Sequence, residues 1–235
     1  MRESSRRLRF RAIAAVVAWL GVGLLAVKGY AEPSSAPATI TSDELEMQDN
    51  GEKTIFLGHV VLTETPYLLK AHRMVRVKNT GLVTADGAID GTWLSEKGEK
   101  VKAYGSEGFY DPAVPKTELW GKDARLVRWE TVRDTAPVEI GADRFRALHH
   151  EKEFYALGHV VITQKPKVLT KSDEAKYDQK DQTIQLYGAV PISIHIADVK
   201  GTGDFIADKG RLTLDPKTAH LEGHVVGHVD PGKTL

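Results

Sequence analysis

The length, composition and charge of this chain are those of an ordinary globular protein and exclude several classes. Its 235 residues are 41% hydrophobic and 27% charged, which is too apolar for a disordered chain. Residues 1–31 hold six Lys/Arg and one acid, whereas the rest is mildly acidic and offers no basic stripe for nucleic acid. The absence of cysteine excludes disulfides, thiolate zinc sites and cysteine nucleophiles.

The N-terminus has the three parts of a secretory signal peptide. A basic segment ending at Arg11 precedes the 16-residue apolar run Ala12–Val27, which predicts an N-terminal apolar helix. Small residues, Gly29 and Ala31, stand at the −3 and −1 positions of a cut after Ala31. We therefore predict that residues 1–31 direct export to the periplasm. The alternative is an uncleaved inner-membrane anchor, because the run is only slightly short for a bilayer span.

Beyond a Pro/Ser/Ala-rich flexible leader at residues 32–39, the sequence repeats itself. Residues 40–66 align without a gap on residues 140–166, at an offset of 100. A partial third copy follows, and in each copy an Asp stands 15 residues before the Gly of a Gly-His-Val-Val motif. These pairs are Asp43 and Gly58, Asp143 and Gly158, and Asp208 and Gly223. We predict two units, residues 40–135 and 136–235, that are continuous with each other.

Between these markers the sequence has the period of β-strands. Marker glycines recur at positions 58, about 87, 121, 158, 188 and 223, which leaves room for short strands and turns. Phe56, Val60 and Leu62 alternate with Leu57 and His59, and no stretch after residue 40 sustains a helical period. The pattern predicts an all-β fold of strands stacked along a long axis, like a taco or jelly roll.

These motifs resemble those of the OstA-like/LptA–LptC family of lipopolysaccharide-transport proteins. The pattern reads Ile40-Thr41-Ser42-Asp43, then Phe56-Leu57-Gly58-His59-Val60-Val61-Leu62-Thr63, then Leu69-Lys70-Ala71-His72-Arg73. The resemblance covers nearly all of residues 40–229, and the stretch from Leu169 to Gly203 is similar to the LptC branch. It implies an open β-jellyroll, or β-taco, of antiparallel strands with an apolar interior. His59, His159 and His224 stand where the family more often has Asn.

The resemblance also implies a function. It indicates a non-enzymatic periplasmic protein that carries or bridges lipopolysaccharide from the inner-membrane exporter towards the outer membrane, through an apolar β-groove that holds the lipid A acyl chains. Expected partners are the inner-membrane export complex, the outer-membrane translocon and a second copy joined edge to edge. The alternatives are an anchored LptC-like component of the exporter and a β-solenoid scaffold without ligand. An enzyme acting on glycans is a third, weaker candidate.

The expected lipid groove is lined by inward-facing apolar residues, for which simple core packing is the alternative at any one position. They are Phe56, Val60, Leu62, Leu69, Val75, Leu119, Val160, Ile162, Leu186, Ile192, Leu221 and Val225. The repeated histidines should face outward, and their spacing predicts no metal site. The repeated aspartates fit turn capping better than catalysis. No catalytic motif, metal site or cofactor is predicted.

Overall fold

The computed structural model describes residues 39–64, 67–94, 100–129, 137–148, 150–151, 153–164, 168–178, 180–181, 183–198, 201–214 and 217–231. The predicted signal peptide, its cut after Ala31, the apolar helix and nearly all of the leader lie outside these residues. Within the described ranges, no helix has the length and apolarity that a membrane span needs.

The described residues form an antiparallel β-sheet and one short 3₁₀ turn at Asp49–Gly51. The all-β prediction is therefore confirmed. The strands are β1 (Thr39–Thr41), β2 (Glu44–Gln48), β3 (Lys53–Glu64), β4 (Tyr67–Val77), β5 (Val83–Leu94), β6 (Lys100–Asp111), β7 (Lys116–Trp120), β8 (Arg125–Trp129), β9 (Val138–Gly141), β10 (Arg144–Leu148), β11 (Glu153–Gln164), β12 (Val168–Asp178), β13 (Thr183–Tyr187), β14 (Ile192–Asp198), β15 (Gly201–Ala207), β16 (Lys209–Leu214), β17 (Lys217–Glu222) and β18 (Val226–Pro231).

These strands make twelve successive passes of the chain, and each pass pairs with the next one along the chain. Six passes are single long strands: β3, β4, β5, β6, β11 and β12. The other six are pairs of short strands separated by a brief interruption: β1–β2, β7–β8, β9–β10, β13–β14, β15–β16 and β17–β18. Three of the long strands are also irregular at mid-length. The pairing of β3 with β4 shifts register between Leu57 and Val60, β5 shifts between Asp86 and Ile89, and β11 shifts between Leu157 and Val160.

The interruptions and register shifts of these nine passes line up as one crease across the sheet. The crease divides the sheet into two layers. The first layer contains β2, β7, β10, β13, β16 and β17 with the halves of the long strands that pair with them. The second layer contains β1, β8, β9, β14, β15 and β18 with the other halves.

The main hydrophobic core lies between the two layers in the second half of the chain. It joins Phe145, Leu186 and Leu212 of the first layer to Ile140, Ile162 and Ile194 of the second. Among the described residues no helix covers this apolar face, and the sheet buries it by folding along its own middle. The face that the two layers turn toward each other is called the inner face below.

The sheet runs without a break across the predicted boundary between the two units. The layer of β7 continues into β10, where Leu119 pairs with Phe145, and the layer of β8 continues into β9, where Leu126 pairs with Ile140. The division into residues 40–135 and 136–235 stays a prediction from the repeat, and these ranges are called the first and second units below.

Candidate functional site

The inner face of the first layer carries an unbroken row of paired residues, called the first-layer row. Each residue pairs with the next one across neighbouring passes, and most are apolar. The row is Leu45, Phe56, Met74, Ala85, Gly108, Leu119, Phe145, Ala156, Ala175, Leu186, Gly210 and Leu221.

A second row of the same kind, called the second-layer row, faces it from the other layer. It is Ile40, Leu62, Leu69, Gly91, Ala103, Leu126, Ile140, Ile162, Thr170, Ile194, Phe205 and Gly227. Only one of its residues, Thr170, carries a hydroxyl group, and none carries a charge. The two rows therefore form two apolar walls that run the length of the folded sheet.

The two units differ in how much of these walls solvent reaches. In the second unit, Phe145, Ile162 and Leu186 are 3%, 2% and 1% exposed. In the first unit, Leu62 and Leu126 of the second-layer row are partly exposed. Phe56, Leu69 and Leu119 of the first unit are partly exposed as well. At these positions, the accessible apolar surface of the inner face lies in the first unit.

The crease is built on close contacts between glycines and residues 15 positions upstream. A Cβ atom on Gly58 would lie 2.4 Å from Asp43 Oδ2, and one on Gly158 would lie 2.2 Å from Asp143 Oδ2. Both glycines also have a positive φ, +66° and +76°, which side-chain-bearing residues rarely adopt. Four more glycines have the same relation to the residue 15 positions before them. These pairs are His72 with Gly87, Ser106 with Gly121, Asp173 with Gly188, and Asp208 with Gly223.

The repeated aspartates tie neighbouring passes together at the crease. Asp43 pairs with the Nδ1 atom of His59 at 2.7 Å, and Asp143 pairs with Nδ1 of His159 at 2.8 Å. Asp173 accepts the backbone N–H groups of the two residues after Gly188 at 2.7 and 3.0 Å. The predicted capping role therefore agrees with these contacts.

The repeated histidines lie on the outside of the molecule. The side chains of His59, His159 and His224 are 86%, 89% and 96% exposed. Their ring nitrogens face aspartates, and no group of three or more metal-ligand side chains is assembled within the described residues. Hydrogen bonds from the backbone N–H and then the ring of His224 lower the pKa of the Asp208 carboxyl.

The outer face of the first layer carries a charged cluster centred on Glu118, which is 5% exposed. Its carboxylate accepts a hydrogen bond from Arg146 Nε at 2.7 Å. Arg144 Nη1 and Lys116 Nζ lie 3.4 and 3.6 Å from the same carboxylate. The guanidinium of Arg144 also stacks over Trp120. This cluster joins β7 to β10 and so supports the junction between the two units.

Residues 39–134 match the model of a family described as LptA/(LptD N-terminal domain) LPS transport protein. That segment contains β1 to β8, which is the described part of the first unit.

This segment belongs to the OstA-like lipopolysaccharide-transport family.

The chain has a weak likeness to a solved structure. The crystal structure of LptH, the LptA homologous periplasmic component of the lipopolysaccharide transport device from Pseudomonas aeruginosa, matches with 14% sequence identity and a TM-score of 0.31. The match covers 71% of this chain and 99% of that one. At this TM-score the likeness adds nothing to the site described above. No curated protein sequence gives a significant match.

Eleven of the groove residues predicted from the sequence fall into three groups by their exposure. Phe56, Leu62, Leu69, Leu119 and Leu221 lie in the two inner rows and are partly exposed. Val60, Val160, Ile162, Leu186 and Ile192 are buried to 2% exposure or less. Val225, on the last pass, is 48% exposed.

Val75 is placed on the opposite face from the one that alternation along β4 predicts. Met74, not Val75, pairs with Ala85, and Ala85 packs with Ala71 in a small inner cluster. Val75 pairs with Ile55 on the other face of the sheet. The reason is that the inward-facing positions of β4 change from odd to even numbers at the crease. Leu69 and Ala71 face inward before His72, whereas Met74 faces inward after it.

Several inner residues were missed by the sequence pattern. Leu126 lies between an arginine and a valine, and Ile40 and Leu45 lie near the leader, so no run of alternating apolar residues identifies them. The alternation of Ile192, Ile194 and Ile196 does carry such a signal. Gly91 and Ala103 have too little side chain to contribute to any hydrophobic pattern.

Both terminal passes of the sheet leave inner apolar side chains uncovered. On the first pass, Leu45 and Met47 are 54% and 67% exposed. On the last pass, Val225 and Val229 are each 48% exposed. The apolar interior therefore reaches both ends of the sheet that the described strands form.

Proposed function

We propose that this chain is a non-enzymatic periplasmic protein that carries or bridges lipopolysaccharide, with the lipid A acyl chains lying along the inner face between the two layers. The observation that supports this most is the pair of continuous apolar rows, partly exposed in a segment of an LPS-transport family. The family consists of transport proteins, and the proposed work is binding and transfer without bond chemistry.

The energetics of the inner face favour acyl chains. Each CH₂ group removed from water gains about 0.8 kcal/mol, so a chain of a dozen carbons gains enough to be held without any specific polar contact. Covering the exposed apolar surface of Leu62 and Leu126 with an acyl chain lowers the free energy of the complex in the same way. A groove of this type releases its ligand by passing it to a continuous apolar surface on a partner.

The edges of the sheet support the proposed partners. Among the described strands, the first and last passes each have one edge without a partner, and such an edge presents backbone N–H and C=O groups to which another strand can be added. Leu45 and Met47 are exposed at one edge and Val225 and Val229 at the other. Edge-to-edge pairing with a second copy, the inner-membrane exporter or the outer-membrane translocon would extend the apolar walls from one protein to the next.

The proposed location follows from the N-terminal sequence. Gly29 and Ala31 fit a signal-peptidase cut that frees the protein in the periplasm. Retention of Ala12–Val27 would instead give an anchored LptC-like component of the exporter. N-terminal sequencing of the protein from cell envelopes distinguishes the two forms, since Glu32 is the first residue of the cleaved form.

Binding of purified protein to lipopolysaccharide tests the proposal. Leu62 and Thr63 are neighbours on β3 whose side chains point to opposite faces, so Leu62→Asp and Thr63→Asp make a matched pair. We expect Leu62→Asp to weaken displacement of a fluorescent acyl probe by lipopolysaccharide at least about tenfold. Thr63→Asp should bind like the wild type. A wild-type protein that is folded but binds no lipopolysaccharide would favour the scaffold alternative.

A further inference from the structure

We infer that the acyl chains bind in the first unit alone, in a section widened by Gly91 and Ala103, and that the second unit is a solid core that takes no lipid. This inference rests on the proposed function and says where in the molecule it takes place. It follows from comparing the inner residues of the two repeats position by position.

The correspondence between the units is fixed by strand pairing. Leu62 and Ile162 are equivalent, since they are 100 residues apart in the ungapped alignment. From Leu62 the second-layer row continues through Leu69, Gly91 and Ala103. From Ile162 it continues through Thr170, Ile194 and Phe205. Gly91 therefore corresponds to Ile194, and Ala103 corresponds to Phe205.

One position of the first-layer row differs in the same sense. Ala85, which pairs with Met74, corresponds to Leu186, which pairs with Ala175. Three inner positions thus carry Gly or Ala in the first unit and Ile, Phe or Leu in the second. The sense is reversed at other positions, such as Phe56 and Met74 of the first-layer row, which correspond to Ala156 and Ala175. In the second unit, Leu186 and Ile194 are 1% and 6% exposed between the layers, and the partly exposed Phe205 packs against the same core.

Gly91 is not required by the backbone, unlike the crease glycines. Its φ lies outside the positive range, and a Cβ atom there would meet nothing closer than the Cβ atom of Ala103 at 3.6 Å. A small residue at a position that would accept a larger one leaves room between the layers. Leu69, its pairing partner, is partly exposed beside that room.

The exposure of the inner side chains determines in which unit a bound acyl chain would remove more apolar surface from water. Ile162, Leu186 and Ile194 of the second unit are already removed from water by the protein, so a lipid placed there would have to displace them. Leu62, Leu69 and Leu126 of the first unit still expose apolar surface, and a bound chain would cover it. Leu45 and Met47 continue this exposed surface to the edge at the first pass.

Filling the widened section tests the inference. Gly91→Ile and Ala103→Phe introduce the residues that the second unit has at these positions. We expect the double variant to keep its β-sheet circular dichroism and to lose lipopolysaccharide affinity at least about tenfold. Thr92→Ile, the neighbouring position on the opposite face of β5, is the control and should bind normally. A double variant that is folded and binds like the wild type overturns the inference.

Cysteine labelling gives a second test that does not depend on the bulky variants. The chain has no cysteine, so a single introduced thiol is the only one present. With a water-soluble thiol reagent, the Leu69→Cys thiol should react and be protected by lipopolysaccharide, whereas the thiol of its counterpart Thr170→Cys should be unreactive with or without lipid. If wild-type protein binds lipopolysaccharide and protection is absent from Leu69→Cys, the inference fails and the proposed function stands. If wild-type protein does not bind lipopolysaccharide, the proposed function fails.

Discussion

The carboxylate of Asp43 lies against the backbone of Gly58, where it takes the place that a Cβ atom would occupy. That atom would stand 2.4 Å from Asp43 Oδ2, and the same relation joins Asp143 to Gly158 at 2.2 Å. Each contact connects two neighbouring passes at the crease. The Asp and Gly of the sequence repeat therefore form a single contact, in which the glycine makes room for the side chain of the Asp 15 residues before it.

Replacing a crease glycine should destabilise the fold. Gly158→Ala forces a methyl group into Asp143 at a φ of +76°, and we expect a loss of about 2 kcal/mol in the free energy of unfolding. The control is Gly141→Ala on β9, where a Cβ atom would meet nothing within 4 Å. Urea denaturation should show a change within about 0.5 kcal/mol for the control. Equal effects of the two substitutions would contradict the crease assignment.

The crease should also have a measurable pH signature at His159. The hydrogen bond to Asp143, followed by the charge of that carboxylate, raises the pKa of His159 above its ordinary value. The contact therefore contributes most below about pH 6.5, the ordinary histidine value, and its contribution is lost as pH rises through the folded-state pKa. NMR titration of the His159 ring should show this raised pKa, and Asp143→Asn should lower it. An unchanged titration in Asp143→Asn would rule out the contact.

Removing the charge of Glu118 should weaken the junction between the units. This buried carboxylate is surrounded by Arg146, Arg144 and Lys116, and Glu118→Gln would leave these cations without their counter-ion. Because the cations are partly exposed, we expect a moderate loss of about 1–3 kcal/mol. Glu107→Gln, at an exposed position on β6, is the control and should change stability by less than about 0.5 kcal/mol. Chemical denaturation monitored by tryptophan fluorescence makes the comparison, and similar effects from both variants would argue against the cluster.

Truncating an inner phenylalanine should have different effects in the two units. Phe145 is 3% exposed in the second-unit core, so Phe145→Ala should cost about 3–5 kcal/mol and leave lipid affinity unchanged in protein that remains folded. Phe56 lies in the same row but is partly exposed, so Phe56→Ala should cost about 1–2 kcal/mol and weaken lipid binding. Thermal unfolding and probe displacement together measure both quantities. Loss of binding in a folded Phe145→Ala protein, with normal binding in Phe56→Ala, would reverse the assignment of the units.

The sequence predicted the fold class because the strand period and the repeat are local properties of the chain. Gly58, Gly158 and Gly223 recur with an aspartate 15 residues upstream, and the structure gives the physical reason for that spacing. The same close contact joins His72 to Gly87 and Ser106 to Gly121, but the sequence repeat does not predict it. The upstream residue there is not an aspartate, so only the close contact identifies it.

The inner face was only partly predictable, because burial depends on what stands opposite each residue. Val60 and Leu62 have the same alternation in sequence, but Val60 is fully covered at the crease and Leu62 is partly exposed. Val75 lies on the opposite face from the one that alternation along β4 predicts, because the phase change within β4 leaves no trace in composition. The width of the proposed groove depends on Gly91 and Ala103. Their small side chains leave room between the layers but add nothing to a hydrophobic pattern in the sequence.

The most direct test of lipid binding on the inner face is site-specific photocross-linking in living cells. A photoreactive residue at Phe56 or Leu62 probes the inner face, and one at His59, on the outside of the same strand, is the control. The account predicts lipopolysaccharide adducts at Phe56 and Leu62 and none at His59. Folded, exported protein that gives no adduct at either inner position, or equal adducts at all three, would contradict it.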